Sequence, residues 1–415
     1  MNNNGSLIYS FMLILVLSAL SAAILLRSTN ENSLAKRVTS SSAALWSAEA
    51  GTQQALWEYN YNNCHGMVQQ GTNTACSSCS SCGGGNKTLA GTLTGYGDYD
   101  IILNNASTIA QSVGSVPSRS ASNKVLRNVQ VTIGRPSIFS YGIFAQGQVT
   151  LKQNSLVDAY NSSNGAYGGA NIDHTNGNVG SNGTGAGIVE VNNNANVWGN
   201  VSTGPGGTVS GSGNIHGSTT HNSSVALPAV VVPSTLTSLS SSGAITIGNN
   251  GSQTINAGDY KYSNISMGNQ STLTVNGNVR LYLTGNASQT SLNTGTAHVT
   301  VNISNGASLV IYTDGIVTFN NNTTINCVSQ LPSNLLIYST YSGANGVTIN
   351  NNGTTYGAVY APQTDVDISN NAGFFGAAVG NTVKLENNGD VHFDTALASM
   401  ANPFENAIVS NWQEY

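Results

Sequence analysis

Four of the five cysteines lie within residues 64–82 and could cross-link that segment or bind a metal. They are Cys64, Cys76, Cys79 and Cys82. An apolar N-terminus predicts export to an oxidising compartment, so we interpret the four as disulfide candidates. The alternative is a metal site built from the Cys-x-x-Cys-x-x-Cys spacing with Cys64 or the adjacent histidine, His65. The fifth cysteine, Cys327, lies in an alternating apolar and polar run, which predicts a buried thiol.

Acidic side chains form two pairs that could support acid–base chemistry. Glycoside hydrolysis needs two facing carboxylates, and Asp365 with Asp367 and Asp390 with Asp394 are the candidates. His392 beside Asp394 is the best acid–base suspect. The alternative, which we favour, is that these charges protect the open end of a stack of strands. We therefore expect no catalytic residue and no enzymatic activity.

Aromatic residues are the second class of candidate binding residues. The chain has 17 Tyr and 4 Trp, and exposed aromatic rings can stack on sugars or contact a partner. Tyr160, Tyr167 and Trp198 are the candidates, although packing at the corners of a repeating fold is the favoured interpretation.

Charge and composition exclude several classes of function. Only 7% of the residues are charged, the net charge is −5, and the 12 Lys and Arg residues form no dense patch. Nucleic-acid binding needs clustered positive charge, so we expect no nucleic-acid partner. No phosphate-binding loop or nucleophile motif indicates a cofactor, and we expect none.

The N-terminal segment predicts a membrane-spanning helix. Leu7–Leu26 is an uncharged run of 20 residues, which as a helix covers about 30 Å, the thickness of a bilayer core. A cleaved signal and a buried core helix are the alternatives. Helical periodicity continues to Tyr59, so the first predicted domain is residues 1–59. Arg27, Lys36 and Arg37 follow the span, and the positive-inside rule alone would then keep the rest of the chain in the cytoplasm.

The N-terminal sequence resembles that of PilX-like type IV pilus assembly proteins. The resemblance lies in a Gly before a small residue and an apolar helix, an acidic residue beyond the membrane, and a Glu between two Ala. Gly5, Ser6, Glu31 and Glu49 occupy these positions in GSLIYSFMLILVLSALSAAILLRSTNENSLAKRVTSSSAALWSAEAG. The resemblance implies processing between Gly5 and Ser6 and assembly roles for Glu31 and Glu49. Ser10 replaces the Glu of major pilins, which favours a minor or accessory subunit.

Short internal repeats dominate the rest of the chain. Val347-Thr348-Ile349 followed by three Asn recurs in related form from Val366 and from Val383. Coils of 17–19 residues with two or three inward Val or Ile residues predict a parallel β-helix. Asn suits the turns because it tolerates the left-handed conformation, and its amide can form ladders between coils. Calcium binding is the alternative, but these turns carry Asn rather than Asp.

The predicted fold is mainly β: the long N-terminal transmembrane helix, a small α+β junction, and an elongated parallel β-helix body. We place the junction at 60–137, the β-helix at 138–400 and a C-terminal tail at 401–415. Segments such as VWGNVSTGPGG and YGAVYAPQTDVDISNNAGFFGAAVGNTV resemble an uncharacterised β-helical domain attached to PilX-like N-termini. That resemblance implies architecture and no reaction.

The expected function is that of a single-pass membrane protein with an extracytoplasmic body on the pilus or cell surface. Other pilin-like subunits, the pilus assembly machinery and the membrane are the expected partners, and surface glycans are the candidate ligands. The alternative is a membrane-anchored β-helix protein that binds or cleaves polysaccharide.

Overall fold

The computed structural model describes residues 3–61, 63–79, 86–104, 109–152, 154–192, 194–320, 322–350, 353–369, 373–386 and 388–415, with side chains from Phe11 onward. The chain divides into two compact units. The N-terminal unit is Met1–Arg135 with Asn406–Tyr415, and the body is Pro136–Glu405. Most of the described secondary structure is β, with one long apolar helix at the N-terminus.

That helix, α1, runs from Asn3 to Asn60. No Gly or Pro interrupts the sequence between Ser6 and Ala50, which allows an unbroken backbone hydrogen-bond ladder. Its side chains from Phe11 to Val38 are exposed. The helix is long and apolar enough to span a membrane, with a mean hydropathy of 2.2 in its most apolar window and none of that window buried.

The second half of α1 packs on an antiparallel sheet. Ala44, Ala48 and Ala55 are fully buried there, and small side chains let the helix approach the strands closely. The approach is closest at Gly114, where an added Cβ would lie 1.9 Å from the carbonyl oxygen of Ala44. The strands are β1 (Val68–Gln69), β2 (Lys87–Leu93), β3 (Gly97–Leu103), β4 (Ile109–Val116) and β5 (Val125–Gly134).

The C-terminus completes this sheet rather than forming the predicted tail. Residues Ile408–Glu414 form a strand, β30, that pairs antiparallel with β5, with Ile408 opposite Gly134. The Asn60 side chain fixes the return of the chain, because its amide donates to the Ala407 carbonyl and accepts from the Ala407 N–H. The tail prediction was wrong because unpaired β5 backbone groups provide a template for one more strand. The body is therefore inserted between two adjacent strands.

The cysteine segment contains a disulfide between Cys64 and Cys79. Cys76 is also disulfide-bonded, and Cys82 lies outside the described residues. Bonded sulfur atoms are not thiolates, so this pairing contradicts the alternative of a cysteine metal site. His65 instead contacts the Ser77 carbonyl oxygen through Nε2 at 2.7 Å. Cys327 is buried and reduced, as the sequence predicted.

Among its described residues, the body contains 24 strands in one sheet, and the pairings between these strands are parallel. Its first section comprises β6 (Ile143–Ala145), β7 (Val149–Leu151), β8 (Leu156–Tyr160), β9 (Val179–Ser181), β10 (Val189–Val191), β11 (Asn196–Val197), β12 (Val201–Ser202), β13 (Val209–Ser210), β14 (Asn214–Ile215) and β15 (Thr219–Thr220). After a helical turn, α2 (Ser234–Thr237), the second section begins.

The second section comprises β16 (Ala244–Ile247), β17 (Ser252–Tyr262), β18 (Asn264–Met267), β19 (Thr272–Leu283), β20 (Thr290–Asn293), β21 (Val299–Ile303), β22 (Ser308–Thr313), β23 (Ile316–Phe319), β24 (Thr323–Cys327), β25 (Leu335–Ser339), β26 (Val347–Asn350), β27 (Thr355–Ser369), β28 (Gly373–Glu386) and β29 (Asp390–Asp394). Short 3₁₀ helices lie at Ser162–Asn164, Gly169–Asn171, Pro332–Asn334 and Thr395–Ser399.

The strands stack in an order that differs from their order in the chain. β28 pairs with β27 on one side and with β6 and β7 on the other, while β29 lies between β28 and β8. The first section therefore starts in the middle of the stack and proceeds to one end, and the second section starts at the other end and returns to the middle. The prediction that Asp390, His392 and Asp394 close an open end was wrong, because β29 is an interior strand.

The repeats predicted from the sequence pair with one another and supply the core. In successive coils Val347 lies opposite Val366, and Val366 opposite Val383. The column continues to Val149 and Val189, and all five side chains are at most 1% exposed. Full burial of a Val or Ile side chain contributes about 1.5–3 kcal/mol, so such columns stabilise the stack.

Asparagine at the coil turns has the two roles predicted for it. Asn154 and Asn388 adopt the left-handed conformation, with φ of 60° at each. Their side chains also form a ladder, with Nδ2 of Asn154 donating to Oδ1 of Asn388 at 3.0 Å. Asparagines within strands form similar amide contacts, because Nδ2 of Asn326 in β24 donates to Oδ1 of Asn302 in β21 at 2.8 Å. These bonds account for many asparagines without a catalytic role.

The crossover segment Leu227–Pro233 lies between the two sections and passes over a row of tyrosines. Tyr282, Tyr312, Tyr338 and Tyr360 lie opposite one another in successive coils. Apolar side chains of the crossover pack on the cluster that contains these rings, and the Tyr360 hydroxyl donates to the Pro228 carbonyl oxygen at 2.6 Å. The crossover thus covers one apolar outer face of the body.

Candidate functional site

One outward-facing row of side chains contains two of the residues that the sequence singled out, His392 and Trp198. We call this row the His392 face. Tyr356 lies opposite Phe375, Phe375 opposite His392, and His392 opposite Asp158. Trp198 and His216 continue the row in the next two coils. Trp198 follows Val197, which pairs with Val157, and His216 follows Ile215, which pairs with Val197.

Aromatic rings along the His392 face contact each other from coil to coil. The Tyr356 and Phe375 ring centroids are 4.7 Å apart, and those of Phe375 and His392 are 4.5 Å apart. Trp198 and His216 are stacked at 3.5 Å with an interplanar angle of 3°. Because stacked rings cover each other's faces, this row mainly stabilises the coils, as the sequence interpretation favoured.

A buried hydrogen-bonded triad lies at the centre of the face. The Tyr167 hydroxyl donates to Oδ2 of Asp158 at 2.6 Å, and Nδ1 of His392 lies 2.6 Å from Oδ1 of the same carboxylate. Asp158 is fully buried and His392 is 7% exposed. Burial, reinforced by the hydrogen bond to Asp158, raises the pKa of Tyr167 above its ordinary value. Tyr167 is therefore a neutral donor, and Asp158 accepts on both oxygens.

The four predicted carboxylates have structural partners. Asp390 accepts from the backbone N–H of Leu156 at 3.0 Å, and Asp394 from those of Ser162 and Ala396. Among the other pair, Asp365 accepts from the Thr382 hydroxyl at 2.8 Å.

Asp367, the remaining member, lies opposite Lys384, and burial raises the pKa of its carboxyl. These contacts hold strands and turns in place.

A polar depression of about 530 Å³ lies beside the triad, in the loop that follows β8. Its lining is Tyr160, Asn161, Asn164, Ala170, Asn171, Ile172, Asp173, His174, Thr175 and Thr395. Asn171 shapes the loop, because its Nδ2 donates to the carbonyl oxygens of Asn161, Gly165 and Ala166. Tyr160 is packed inside, in agreement with the interpretation favoured from the sequence, and is not an exposed binding ring. It is 1% exposed, and its buried hydroxyl has no hydrogen-bond partner among the described residues.

Asp173 is the acidic group of this depression. Burial alone would raise its pKa, but hydrogen bonds from Asn176 and Thr175 lower it overall. The carboxylate therefore stays ionised among neutral amides and hydroxyls. Such a lining can exchange hydrogen bonds with a hydroxyl-rich neutral ligand, because amides supply both donors and acceptors.

The half-buried Asp390 leads to a prediction on pH. Burial raises its carboxyl pKa, against the opposing effects of His392 and the Leu156 N–H. The native state then binds a proton more tightly than the unfolded chain, so this contribution to stability falls as pH rises above the unfolded value of about 3.9. Asp390→Asn cannot titrate and still accepts from Leu156. We expect it to be more stable than wild type at pH 7, with the difference vanishing near pH 3, in thermal unfolding of the full chain.

Asp173→Asn is the matched control with the opposite sign, because the pKa of Asp173 is lowered. Its carboxylate stabilises the folded state above the unfolded pKa, so the Asn variant should lose stability at pH 7 and not at low pH. Equal differences between Asp390→Asn and wild type at both pH values would contradict the assignment.

The residue that sequence reasoning missed is Asp158, the centre of the triad. It lies 234 positions from His392, and nothing in the sequence indicates that their coils are neighbours. Its signal was weak: one acidic residue inside the apolar strand Leu156–Tyr160. A charge at such a position suggests a buried polar contact.

The residues assigned by the pilin resemblance lie on α1. Gly5 and Ser6 are in the helix, but their side chains are outside the described part. Glu31 is exposed and accepts from Nε of Arg27 at 2.9 Å, one helical turn away. Glu49 is half-buried in the part of α1 that packs on the sheet.

Comparison with known proteins gives limited similarity. A family described as a domain of unknown function (DUF7305) matches residues 211–400, less than half of the chain. A crystal structure of an ice-binding protein from the Antarctic ascomycete Antarctomyces psychrotrophicus is similar at 17% identity and a TM-score of 0.23. That match covers 61% of this chain and 94% of the ascomycete chain. No curated protein sequence matches this chain.

Proposed function

We propose that this protein is a membrane-anchored, pilin-like accessory subunit that displays its body outside the cytoplasm for adhesion to neutral glycans. The observation that carries the proposal is α1: one unbroken helix that is apolar and exposed in its first half and buried on an antiparallel sheet in its second. That arrangement lets one element serve as both membrane anchor and core of a small head. The proposed role is non-enzymatic.

The first half of α1 fits a lipid environment. Phe11, Leu17 and Leu26 are each more than half exposed, although apolar side chains of this size are normally buried in soluble domains. The first charged side chains are Arg27 and Glu31, which pair with one another. The proposed span therefore ends before this pair, where the helix would enter water.

We further propose that the body is a parallel β-helix. Two observations support this assignment. Strands pair in parallel with strands of the next coil, and Val and Ile side chains form columns in the core. Insertion of the body between β5 and β30 suits its display, because the antiparallel sheet of the N-terminal unit can form without the body. The Cys64–Cys79 disulfide supports an oxidising, extracytoplasmic location, against the positive-inside rule.

Deleting residues 136–405 tests the separation of assembly from adhesion. Gly134 of β5 and Ile408 of β30 are register partners. In the deletion variant they would be joined by a four-residue hairpin loop of Arg135, one added Gly, Asn406 and Ala407. We expect this variant to assemble like wild type in the pilus or membrane fraction and to lose binding to beads coated with neutral oligosaccharides. N-terminal sequencing of the assembled protein should begin at Ser6.

Point variants locate the binding site. Asn171→Ala with Asp173→Ala should lower bead binding about tenfold, the equivalent of about 1.4 kcal/mol, while assembly stays at the wild-type level. Thr324→Ala, an exposed substitution in another coil, is the matched control. Full bead binding by the deletion variant would refute adhesion through the body, and release of reducing sugars by wild type would favour the cleaving alternative.

A further inference from the structure

Both ends of the body stack carry strands that are paired on one side. At the first end, β16 pairs with β18 and β17 with β19. At the second end, β13, β14 and β15 pair with β10, β11 and β12. Among the described residues no strand covers the opposite side of either set. Each end therefore presents backbone N–H and C=O groups that another strand could bind.

The apolar columns are incompletely covered at these ends. At the second end Val209 is half-buried, whereas Val189, its partner in the next coil, is fully buried. At the first end Ile245 is half-buried, whereas its partner Ile265 is fully buried. A further coil placed on either end would complete the burial of these columns.

Most of the strand edge at both ends lacks the charges that normally protect it, and the exceptions are Asp259 and Lys261 in the second half of β17. Asp, Glu, Lys and Arg are absent from residues 191–258, a segment that includes β11–β15, β16 and the first half of β17. Interior coils do carry them, for example Lys152, Asp367 and Lys384. Natural sheets use charged side chains at edges to prevent association, so a neutral edge permits it.

We propose that the occupant of each end is the opposite end of a second copy of this chain. The strands of successive coils are parallel throughout the stack. A second copy, shifted along the stack without rotation of its strands, would therefore continue the parallel pairing. Inward positions at both ends are neutral and exposed: Gln253, opposite Leu273, and Thr219, opposite Val201. The contact is heterologous and does not close, so bodies associate head to tail in rows.

Blocking one end at a time tests this inference independently of the anchor. Gln253→Lys places a charge at the first end and Thr219→Lys at the second, and the full chain is studied in detergent by sedimentation. Wild type should form assemblies that grow with concentration. Each variant alone should require at least about tenfold higher concentration to associate. Mixed one to one, the two variants should form pairs, because each retains the end that the other has lost.

Thr324→Lys, an exposed outward position of an interior coil, is the matched control and should associate like wild type. Thermal unfolding checks that each blocked variant folds, and Gln253→Glu or Thr219→Glu replaces any that does not. A blocked variant that still forms dimers alone, or a mixture that forms no pairs, would overturn the head-to-tail contact. Association unchanged in both variants would assign it to α1 instead.

Discussion

Replacing Gly114 by alanine should unfold or strongly destabilise the N-terminal unit. The added Cβ would lie 1.9 Å from the Ala44 carbonyl oxygen and 2.7 Å from the Ala48 backbone nitrogen. Backbone atoms of a packed helix cannot rotate away as a side chain does, so α1 must move off the sheet. Overpacking of this kind costs about 3 kcal/mol. Fluorescence of Trp46 and Trp57, both on α1, follows the transition in denaturant.

The matched control is Gly134→Ala, in the adjacent strand β5. A Cβ at Gly134 would meet no atom within 4 Å, so this variant should stay within about 0.5 kcal/mol of wild type. The body should unfold as in wild type in both variants, because neither residue belongs to it. Equal stability of the two variants would contradict the close helix–sheet packing on which the pilin-like proposal depends.

Removal of the Asp158 carboxylate should be the most damaging single change in the body. Asp158→Ala leaves the buried His392 and the Tyr167 hydroxyl without their shared acceptor. Leaving a buried hydrogen-bonding group unsatisfied costs about 1–3 kcal/mol, and two groups lose their acceptor here. Asp158→Asn keeps the shape and one acceptor oxygen, so its cost should be smaller. Thermal unfolding of the full chain measures both.

A double-mutant cycle separates this triad from general packing. Tyr167→Phe alone should cost about 1 kcal/mol, the usual net value of a hydrogen bond, and much less when Asp158 is already alanine. Asp365→Ala is the control, because its carboxylate accepts from Thr382 on another face of the body. Strictly additive effects of the Asp158 and Tyr167 changes would mean that the hydrogen bond between them contributes nothing.

Local patterns predicted much of this fold. The apolar run and the absence of Gly and Pro predicted α1, and periodic Val and Ile residues predicted the inward columns of β26, β27 and β28. Asn at turns predicted both left-handed backbone and amide ladders. These features depend on side-chain type and on spacing within a single coil, so the sequence contains them directly.

Which coils are neighbours was decided only by the tertiary structure. A repeat specifies the length of a coil, but parallel strands with similar Val columns could pair in many orders. One end of the stack is therefore formed by strands from the middle of the chain. β29 pairs with β8 in the interior and does not close an end. The same long-range pairing joins Asp158 to His392 and returns β30 to β5, which no local pattern could predict. Local chemistry determined the coils and the long apolar helix α1, and competition among pairing partners decided where the buried site and the open ends lie.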